Sequence, residues 1–255
     1  MIATRHAVRV VERNVLAYRR MWLIFLTGFA EPLLYLLSIG IGVGSLVGDL
    51  QVGGRTVDYE HFVAPGLLAM SAMTGALLDA TFNFFVKFKY TKVYDAVLAT
   101  PIGTSDLATG EVAWSLMRGA IYSLVFLLTM LAFGLVDSWW AILAAPAAVL
   151  IGFGFAGAGL AATTWMRSFL DFDYINLAIV PLFLFSATFF PLSRYPTVLE
   201  AIVRVTPLYQ GVVLERSLVL GDVHWSLFLN AAYLAAMGFV GLRIASRRLG
   251  RLLQP

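Results

Sequence analysis

The sequence contains no cysteine, only three histidines and few charged residues. Without cysteine the chain can form no disulfide, cysteine-ligated zinc site or iron–sulfur cluster, and it has no cysteine nucleophile. His6, His61 and His224 lie far apart and match no metal-binding spacing, so we expect no metal site. The ATP-binding sequence GxxxxGK followed by Ser or Thr is also absent. Any ATP that drives this protein is therefore bound by another chain.

Charge is scarce while apolar residues are abundant. Charged residues make up 13% of the chain and hydrophobic residues 60%, with a mean hydropathy of +0.83. Soluble domains have about 25% charged residues. The net charge of +3 is small, and no basic stripe with interleaved aromatic residues occurs, so we expect no nucleic-acid partner. The composition predicts an integral membrane protein surrounded by membrane lipid.

Long apolar runs set the number of membrane crossings. A helix needs about 20 apolar residues to span the hydrocarbon core. Six segments qualify, and the fifth is the weakest because it is short and contains Pro181. The predicted spans are residues 22–46, 64–85, 110–134, 140–164, 174–192 and 225–245.

The distribution of Lys and Arg predicts the orientation of these spans. One side would carry the basic residues of the N-terminus, the second and fourth connections and the C-terminal tail: Arg5, Arg9, Arg13, Arg19, Arg20, Lys87, Lys89, Lys92, Arg167, Arg243, Arg247, Arg248 and Arg251. The other side would carry only Arg55, Arg194, Arg204 and Arg216. By the positive-inside rule both termini are cytoplasmic. The prediction is a single all-α membrane domain over residues 1–255.

Residues 1–20 precede the first span and have the pattern of an amphipathic helix. Apolar residues share one helical face and charged residues another: Val8, Val11, Val15 and Tyr18 against Arg5, Arg9, Glu12 and Arg13. Such a helix lies in the plane of the cytoplasmic interface. The alternative is a basic flank that only orients the protein, and the two interpretations are compatible.

The connection between the second and third spans is unusually polar, with the sequence VYDAVLATPIGTSDLATGEVAW at residues 93–114. Pro101 disfavours helix at the residue before it. Residues 104–106 then supply N-cap side chains for a new helix, which places Glu111 within its first two turns. With a short helix, a break and the start of a new helix, the connection is longer than the roughly two to eight residues that a plain connector needs. It indicates a surface for a protein partner, with a solvated hairpin as the alternative.

The connection before the last span contains three breaks, at Pro191, Pro196 and Pro207. Between them, residues 198–203 place apolar side chains on one helical face. We expect short amphipathic helices on the outer side that dip into the leaflet or re-enter between spans. Irregular backbone at such depth needs protein or a water-filled cavity to satisfy its hydrogen bonds.

Three ionisable residues fall inside predicted spans: Glu31, Asp79 and Arg118. Each costs about 2.5–3.5 kcal/mol at the centre of a membrane helix. They should therefore pair with one another or face a cavity. We predict that Arg118 pairs with Asp79 or Glu31 and braces the helices, with direct contact to a substrate as the alternative.

Three passages together carry a family resemblance: EPLLYLLSIGIGVG at 31–44, VYDAVLATPIGTSDLATGEVAW at 93–114, and FFPLSRYPTVLEAIVRVTPLYQGVVLERSLVLG at 189–221. In this order and at this spacing the chain resembles the permease subunits of type-2 ABC exporters. Within that class it resembles the bacterial lipo-oligosaccharide (nodulation-factor) exporter permeases and their drug-exporting relatives. The resemblance covers nearly the whole chain.

The resemblance implies roles for particular residues. Residues 93–99 would form a coupling helix that inserts into a cytoplasmic ATPase, and residues 190–222 would form outer re-entrant helices that close the exit. The implied ATPase-coupling residues are Val93, Tyr94, Asp95, Val97, Leu98, Thr100, Pro101, Asp106, Gly110, Glu111, Arg167 and Asp171. The implied candidates for lining the path are Phe183, Phe185 and Phe189, which could instead face lipid.

The resemblance also implies the partners and the mechanism. Two ATPase copies would bind ATP and Mg²⁺, and a second permease copy or a homologue would complete the transporter in a bacterial cytoplasmic membrane. ATP-driven closure of the ATPase would push the coupling helices and switch access from the inner to the outer side. The substrate would be lipidic, lipo-oligosaccharide-like or an amphipathic drug. This chain would contribute no catalytic residue.

Two other kinds of membrane protein compete with this interpretation. A membrane-embedded transferase would need acids, bases or metal ligands that converge at one boundary. Here the outer-side candidates are His61, Asp58 and Glu60 in one loop. A secondary transporter would need inverted repeats or helices broken near the midplane, as Pro32 or Pro181 could produce. An obligate ATPase partner distinguishes the exporter from both.

Overall fold

The computed structural model describes residues 2–19, 30, 33–52 and 55–253, and most of them are helical. The α-helices are α1 (Ile2–Tyr18), α2 (Gly42–Val47), α3 (Tyr59–Leu78), α4 (Val93–Leu98), α5 (Thr104–Ala132), α6 (Ala144–Thr163), α7 (Phe172–Leu184), α8 (Thr197–Val205), α9 (Pro207–Leu220) and α10 (Leu227–Leu253). Wider π-helical turns form Leu36–Ile41, Asp79–Asn83 and Val86–Tyr90, and 3-10 turns form Trp139–Leu143, Phe169–Asp171 and Leu192–Arg194. We call residues 79–90, which continue α3, the α3 extension.

Within the described residues, four helices are long and apolar enough to cross a membrane. They are Tyr59–Tyr90, Thr104–Ala132, Trp139–Thr163 and Leu227–Leu253. A fifth crossing results if α8 and α9, which meet at an angle of 82°, are counted as one broken span. The protein is therefore a helical membrane protein with four to five candidate spans in its described part.

The first and fifth predicted spans are not among these four helices. Most of residues 22–32, including Glu31, lies outside the described residues, and a shorter apolar helix follows at Leu33–Gly44. The fifth predicted span, 174–192, corresponds to α7, which has 13 residues. A complete crossing needs about 20. Six crossings therefore stay a prediction.

Close backbone contact joins α6 to α10 near the middle of the bundle. A Cβ atom on Gly157 would lie 2.4 Å from the carbonyl oxygen of Gly238, and one on Gly241 would lie 2.3 Å from the carbonyl carbon of Gly157. Small residues at such positions let membrane helices approach closely. The glycine-rich sequence of α6 thus serves helix packing.

A short β-hairpin lies between α2 and α3, which the all-α prediction missed. Its strands, β1 (Leu50–Val52) and β2 (Arg55–Val57), are antiparallel, with Leu50 opposite Val57. In the sequence, Gly53 and Gly54 separate the strands. A Gly-Gly pair is a standard signal for a two-residue hairpin turn, but strands of three residues are too short to show a period of their own.

Two short helices replace a simple loop before α10. Pro207 stands at the N-terminus of α9, where its missing N–H costs nothing, and the chain bends there by 82°. Leu208 and Val212 of α9 are buried in the core, whereas Val198 and Ile202 of α8 are exposed. The predicted short helices of this segment are present.

One end of the bundle collects most of the basic residues. Lys87 and Lys89 end the α3 extension, Arg167 follows α6, and the last turns of α10 are also basic. His6 of α1 lies 3.6 Å from Asp106 at the start of α5, so α1 belongs to the same end. We call this end of the molecule the basic face.

Candidate functional site

Between the second and third spans, the sequence predicts a short helix, a break and the start of a new helix. The structure contains this arrangement on the basic face. Lys92 precedes α4 with a left-handed backbone (φ 48°). The Thr100 hydroxyl donates a hydrogen bond of 2.6 Å to the Val97 carbonyl as α4 ends. The Asp106 carboxylate accepts from the Gly103 N–H at 3.2 Å, which satisfies a free donor at the start of α5. The connection is therefore ordered and not a loose loop.

The residues of α4 divide into an anchored side and an exposed side. Tyr94 is completely buried, with its ring 5.0 Å from that of Phe84, and Val97 packs against the same apolar cluster. The exposed side carries Asp95, Thr100 and Pro101, and the half-buried Val93 and Leu98 lie between the two sides. Only part of the predicted coupling surface is therefore available to a partner.

Beneath α4, a buried carboxylate joins three helices. Glu111 of α5 is 3% exposed. It accepts hydrogen bonds from Arg13 Nη2 at 3.0 Å, Lys87 Nζ at 2.7 Å and Asn14 Nδ2 at 3.2 Å. Arg13 and Asn14 belong to α1, and Lys87 belongs to the α3 extension. We call these four residues the Glu111 junction.

Tyr94 connects α4 to the Glu111 junction. The Arg13 guanidinium lies 5.8 Å from the centre of the Tyr94 ring. Burial raises the pKa of the Tyr94 hydroxyl well above its usual range, and the negative charge of Glu111 raises this pKa further. Tyr94 thus places α4 beside the side chains that join α1, the α3 extension and α5.

Gly110 lets α1 contact α5 directly. A Cβ atom at this position would lie 2.6 Å from Cβ of Val10 and 2.8 Å from the carbonyl oxygen of Ala7. Real Cβ atoms do not approach other atoms so closely, so the contact requires glycine. The resemblance implied a role for Gly110 in coupling to the ATPase, and the structure uses this residue to seat α1.

The face by which α1 contacts the protein differs from its predicted apolar stripe. The buried residues are Ala7, Val10 and Asn14, whereas Val8 and Val15 are 53% and 40% exposed. Tyr18 of the predicted stripe instead packs on protein, with its ring 5.3 Å from that of Trp114. Sequence analysis missed the protein-facing side of α1, and contact of the exposed face with lipid stays a prediction.

A second buried ion pair lies deeper in the bundle. Arg118 Nη1 donates to Asp79 Oδ1 at 2.6 Å, and Arg118 Nη2 donates to the Tyr122 hydroxyl at 2.9 Å. Asn83 donates to the same Asp79 oxygen. Of the two partners predicted for Arg118, the structure supplies Asp79, while Glu31 lies outside the described residues. This pair braces the α3 extension against α5.

Arg167 and Asp171 lie in the second connection of the basic face. The Asp171 carboxylate accepts from the backbone N–H groups of Arg167 and Ser168 at 2.6 and 3.1 Å, and these hydrogen bonds lower its pKa. The ring of Phe169 stacks on Tyr90 of the α3 extension at 4.7 Å. The connection thus lies beside the root of α4, as a lesser contact to the same partner would require.

The three phenylalanines predicted to line a path are not equivalent. Phe183 and Phe189 are each 8% exposed, and their rings pack against each other at 5.0 Å. Phe185 is 40% exposed. In this conformation the first two belong to the core, and a role for any of them in lining a path stays a prediction.

Sequence analysis treated Arg216 only as an outer-side charge and missed its contacts. Arg216 donates to the carbonyl oxygens of Phe62 at 3.1 Å, Ala187 at 2.8 Å and Thr188 at 3.3 Å. Ala187 has a left-handed backbone, with φ of 56°. Arg216 therefore donates hydrogen bonds to backbone carbonyl oxygens of an irregular buried segment that follows α7. The adjacent charges Glu215 and Arg216, between the apolar residues 212–214 and 218–220, were the available signal.

The amino-acid sequence also matches a described protein family. Residues 6–220 match the family described as ABC-2 type transporter. The chain belongs to this family. The resemblance inferred from the three sequence passages is thereby confirmed.

Individual relatives cover most of the chain. Nodulation protein J of Rhizobium leguminosarum bv. trifolii is 32% identical over 251 residues, which cover 96% of this chain and 94% of the relative. Nodulation protein J of Rhizobium meliloti (strain 1021) is 29% identical, and the match covers 95% of this chain and 93% of the relative. The inner membrane transport permease YadH of Escherichia coli (strain K12) is 26% identical, and the match covers 69% of this chain and 67% of the relative.

Proposed function

We propose that this ABC-2 chain is the membrane permease subunit of an ATP-driven exporter, with ATP and Mg²⁺ bound by a separate ATPase. Family membership and the similarity to Nodulation protein J and to a transport permease support this proposal. The chain contributes no catalytic site of its own. Two permease copies, or this chain and a homologue, pair with two ATPase copies in a bacterial cytoplasmic membrane.

The observation that carries the proposal is the construction of α4. Its anchored side is fixed by Tyr94 to the Glu111 junction, while Asp95 and Pro101 remain exposed. A rigid element with one free surface and buried connections to three helices can transmit force. ATPase closure displaces α4, and the junction passes the displacement to the spans.

The permease acts through differential affinity for its substrate in two conformations, because a ligand shifts an equilibrium only by binding one state more tightly. The basic face lies in the cytoplasm by the positive-inside rule. The spans carry few charges, which favours a lipidic, lipo-oligosaccharide-like or amphipathic drug-like substrate over a small ion. The substrate moves outward.

The test is a charge reversal on the exposed side of α4. Asp95→Lys changes an exposed residue, so folding should be unaffected. In mild detergent, we expect the ATPase activity that co-purifies with the variant to be at least tenfold lower than that which co-purifies with the wild-type chain. The matched control is Asp222→Lys, an exposed aspartate at the opposite end of the bundle, which should keep that activity.

Two results would contradict the proposal. One is that the intact wild-type chain purifies without any ATPase under conditions that preserve other membrane complexes. The other is that Asp95→Lys and Asp222→Lys behave alike. The first result would favour an ATPase-independent membrane protein, such as a secondary transporter or a membrane-embedded transferase. The second would mean that the exposed side of α4 does not bind the ATPase.

A further inference from the structure

A deep groove separates α7 from the rest of the bundle. Its volume is about 720 Å³. Ala158 and Ala162 of α6 form one wall, and Ile175 and Ile179 of α7 form the other. This volume falls within the roughly 300–1,000 Å³ of small-molecule sites. The groove is therefore large enough for an extended apolar ligand.

The α7 wall is only partly packed against the described part of the chain: Ile175, Ile179 and Leu182 contact the apolar core but stay half-buried. Phe183 is the only buried residue of this 13-residue apolar helix. An apolar helix is normally stabilised by packing one face against other apolar groups. A ligand in the groove would supply that packing between α6 and α7.

Charge and aromatic side chains collect at one end of the groove, on the basic face. Trp165 and Tyr174 line this end and are 53% and 72% exposed. Exposed Trp and Tyr side chains favour the level of the lipid headgroups. Arg167 also lines this end and is exposed. Within the described residues, its guanidinium forms no hydrogen bond or ion pair.

The neighbouring charges leave this end positive on balance. Asp171 also lines the groove, and its carboxylate, which accepts from two backbone N–H groups, offsets one positive charge. The guanidinium of Arg248 lies 3.9 Å from the centre of the Trp165 ring and donates to Thr164 Oγ1 at 3.0 Å. Two guanidinium groups and one carboxylate thus lie at this end of the groove, and the remaining positive charge favours an anion there.

We propose that this groove binds one anionic membrane lipid, with an acyl chain between α6 and α7 and its phosphate at Arg167. An apolar slot with a cationic end at the headgroup level complements such a lipid along its whole length. Arginine suits phosphate because its planar fork donates two hydrogen bonds in parallel. The proposal does not depend on ATP-driven export.

The experiment compares two lipids that differ only in headgroup charge. The purified full-length chain is delipidated in detergent and titrated with phosphatidylglycerol or phosphatidylcholine carrying the same acyl chains. Native mass spectrometry counts the lipids retained. We expect the wild-type chain to retain one phosphatidylglycerol with at least tenfold preference over phosphatidylcholine.

Matched variants separate the groove from general lipid binding. Ala162→Phe fills the slot, and Ala236→Phe makes the same change at an exposed site of α10 outside it. Arg167→Gln removes the charge at the groove, and Arg247→Gln removes an exposed charge of the basic face outside it. All four positions are exposed, so the variants should fold, which size-exclusion chromatography checks.

The expected pattern is specific. Ala162→Phe should reduce retention at least tenfold, Arg167→Gln should bring the preference for phosphatidylglycerol close to one, and both controls should match the wild-type chain. Equal retention of the two lipids by the wild-type chain would overturn the proposal. So would equal effects of Ala162→Phe and Ala236→Phe, or a change in oligomeric state in Ala162→Phe without loss of lipid, which would make the groove an interface between copies.

Discussion

Two charged side chains in this ABC-2 chain, the buried Glu111 and the half-buried Arg216, are satisfied in opposite ways. Glu111, on the basic face, is surrounded by the cations Arg13 and Lys87, which come from α1 and the α3 extension. Arg216 forms an ion pair with no carboxylate among the described residues. It instead contacts three backbone carbonyl oxygens and lies 3.8 Å from the centre of the Phe62 ring.

This difference between the contacts of Glu111 and Arg216 indicates which of the two regions can move. The attraction between opposite charges falls slowly with distance, so the Glu111 junction tolerates small displacements of its helices. Hydrogen bonds to carbonyl oxygens weaken steeply when their angles change. The Arg216 contacts therefore fix the irregular segment after α7, whereas the junction suits transmission of movement from α4.

The largest effect on stability is expected when the carboxylate of the Glu111 junction is removed. Glu111→Ala leaves two cations without their buried partner, which costs about 3–5 kcal/mol for a fully buried pair. Arg13 is 30% exposed, so we expect a loss at the lower end, about 3 kcal/mol. Denaturant titration in detergent micelles measures the free energy of unfolding.

The control for Glu111→Ala is Glu12→Ala in α1. Glu12 also pairs with an arginine, Arg9, at 2.8 Å, but both side chains are exposed. We expect a change of less than about 1 kcal/mol there. Equal losses in the two variants would mean that burial of Glu111 has no energetic consequence.

Removing the guanidinium of Arg216 should have the next largest effect. Arg216→Met leaves buried carbonyl oxygens unsatisfied, at about 1–3 kcal/mol each, and we expect about 2–3 kcal/mol in total because water can reach some of them. Arg216→Lys keeps the charge and should recover less than half of the loss, since a lysine lacks the planar fork. Arg204→Met, in an exposed pair with Glu200, is the control. Full recovery by lysine would show that charge alone matters at this site.

A smaller effect is expected where α1 contacts α5. Gly110→Ala places a methyl group against Val10 and Ala7, which should cost about 1–3 kcal/mol by overpacking. At Gly42 a Cβ atom would meet nothing within 4 Å, so Gly42→Ala should stabilise the helix slightly. Proteolysis of α1 measures its detachment. Unchanged proteolysis in Gly110→Ala would contradict direct contact between α1 and α5.

The sequence predicted those features that depend on local chemistry. Long apolar runs predicted the helices that cover residues 64–85 and most of 110–134, and Pro101 predicted the end of α4. The cost of charge in lipid predicted that Arg118 has a buried partner, which is Asp79. Each of these inferences uses neighbouring residues or a simple solvent argument.

The features that sequence analysis missed depend on long-range contacts. Asn14 and Glu111 are 97 positions apart, and Arg216 and Phe62 are 154 positions apart. No periodicity connects such residues, because the packing of the helices decides which side chains meet. The protein-facing side of α1 was missed for the same reason, since Val10 faces Gly110 only once the helices are docked.

The smallest effect should come from an exposed charge of the basic face. Asp171 accepts from the N–H groups of Arg167 and Ser168, which lowers its pKa. Its stabilising contribution is therefore complete above about pH 4 and is lost as pH falls through the lowered pKa of the folded state. At pH 7, Asp171→Ala should speed amide hydrogen exchange of residues 167 and 168 while the midpoint of thermal unfolding stays unchanged. Asp173→Ala, an exposed neighbour, should leave that exchange as it is. A large drop in the midpoint would mean that this surface carboxylate matters as much as Glu111, and the distinction between buried and exposed charges on the basic face would fail.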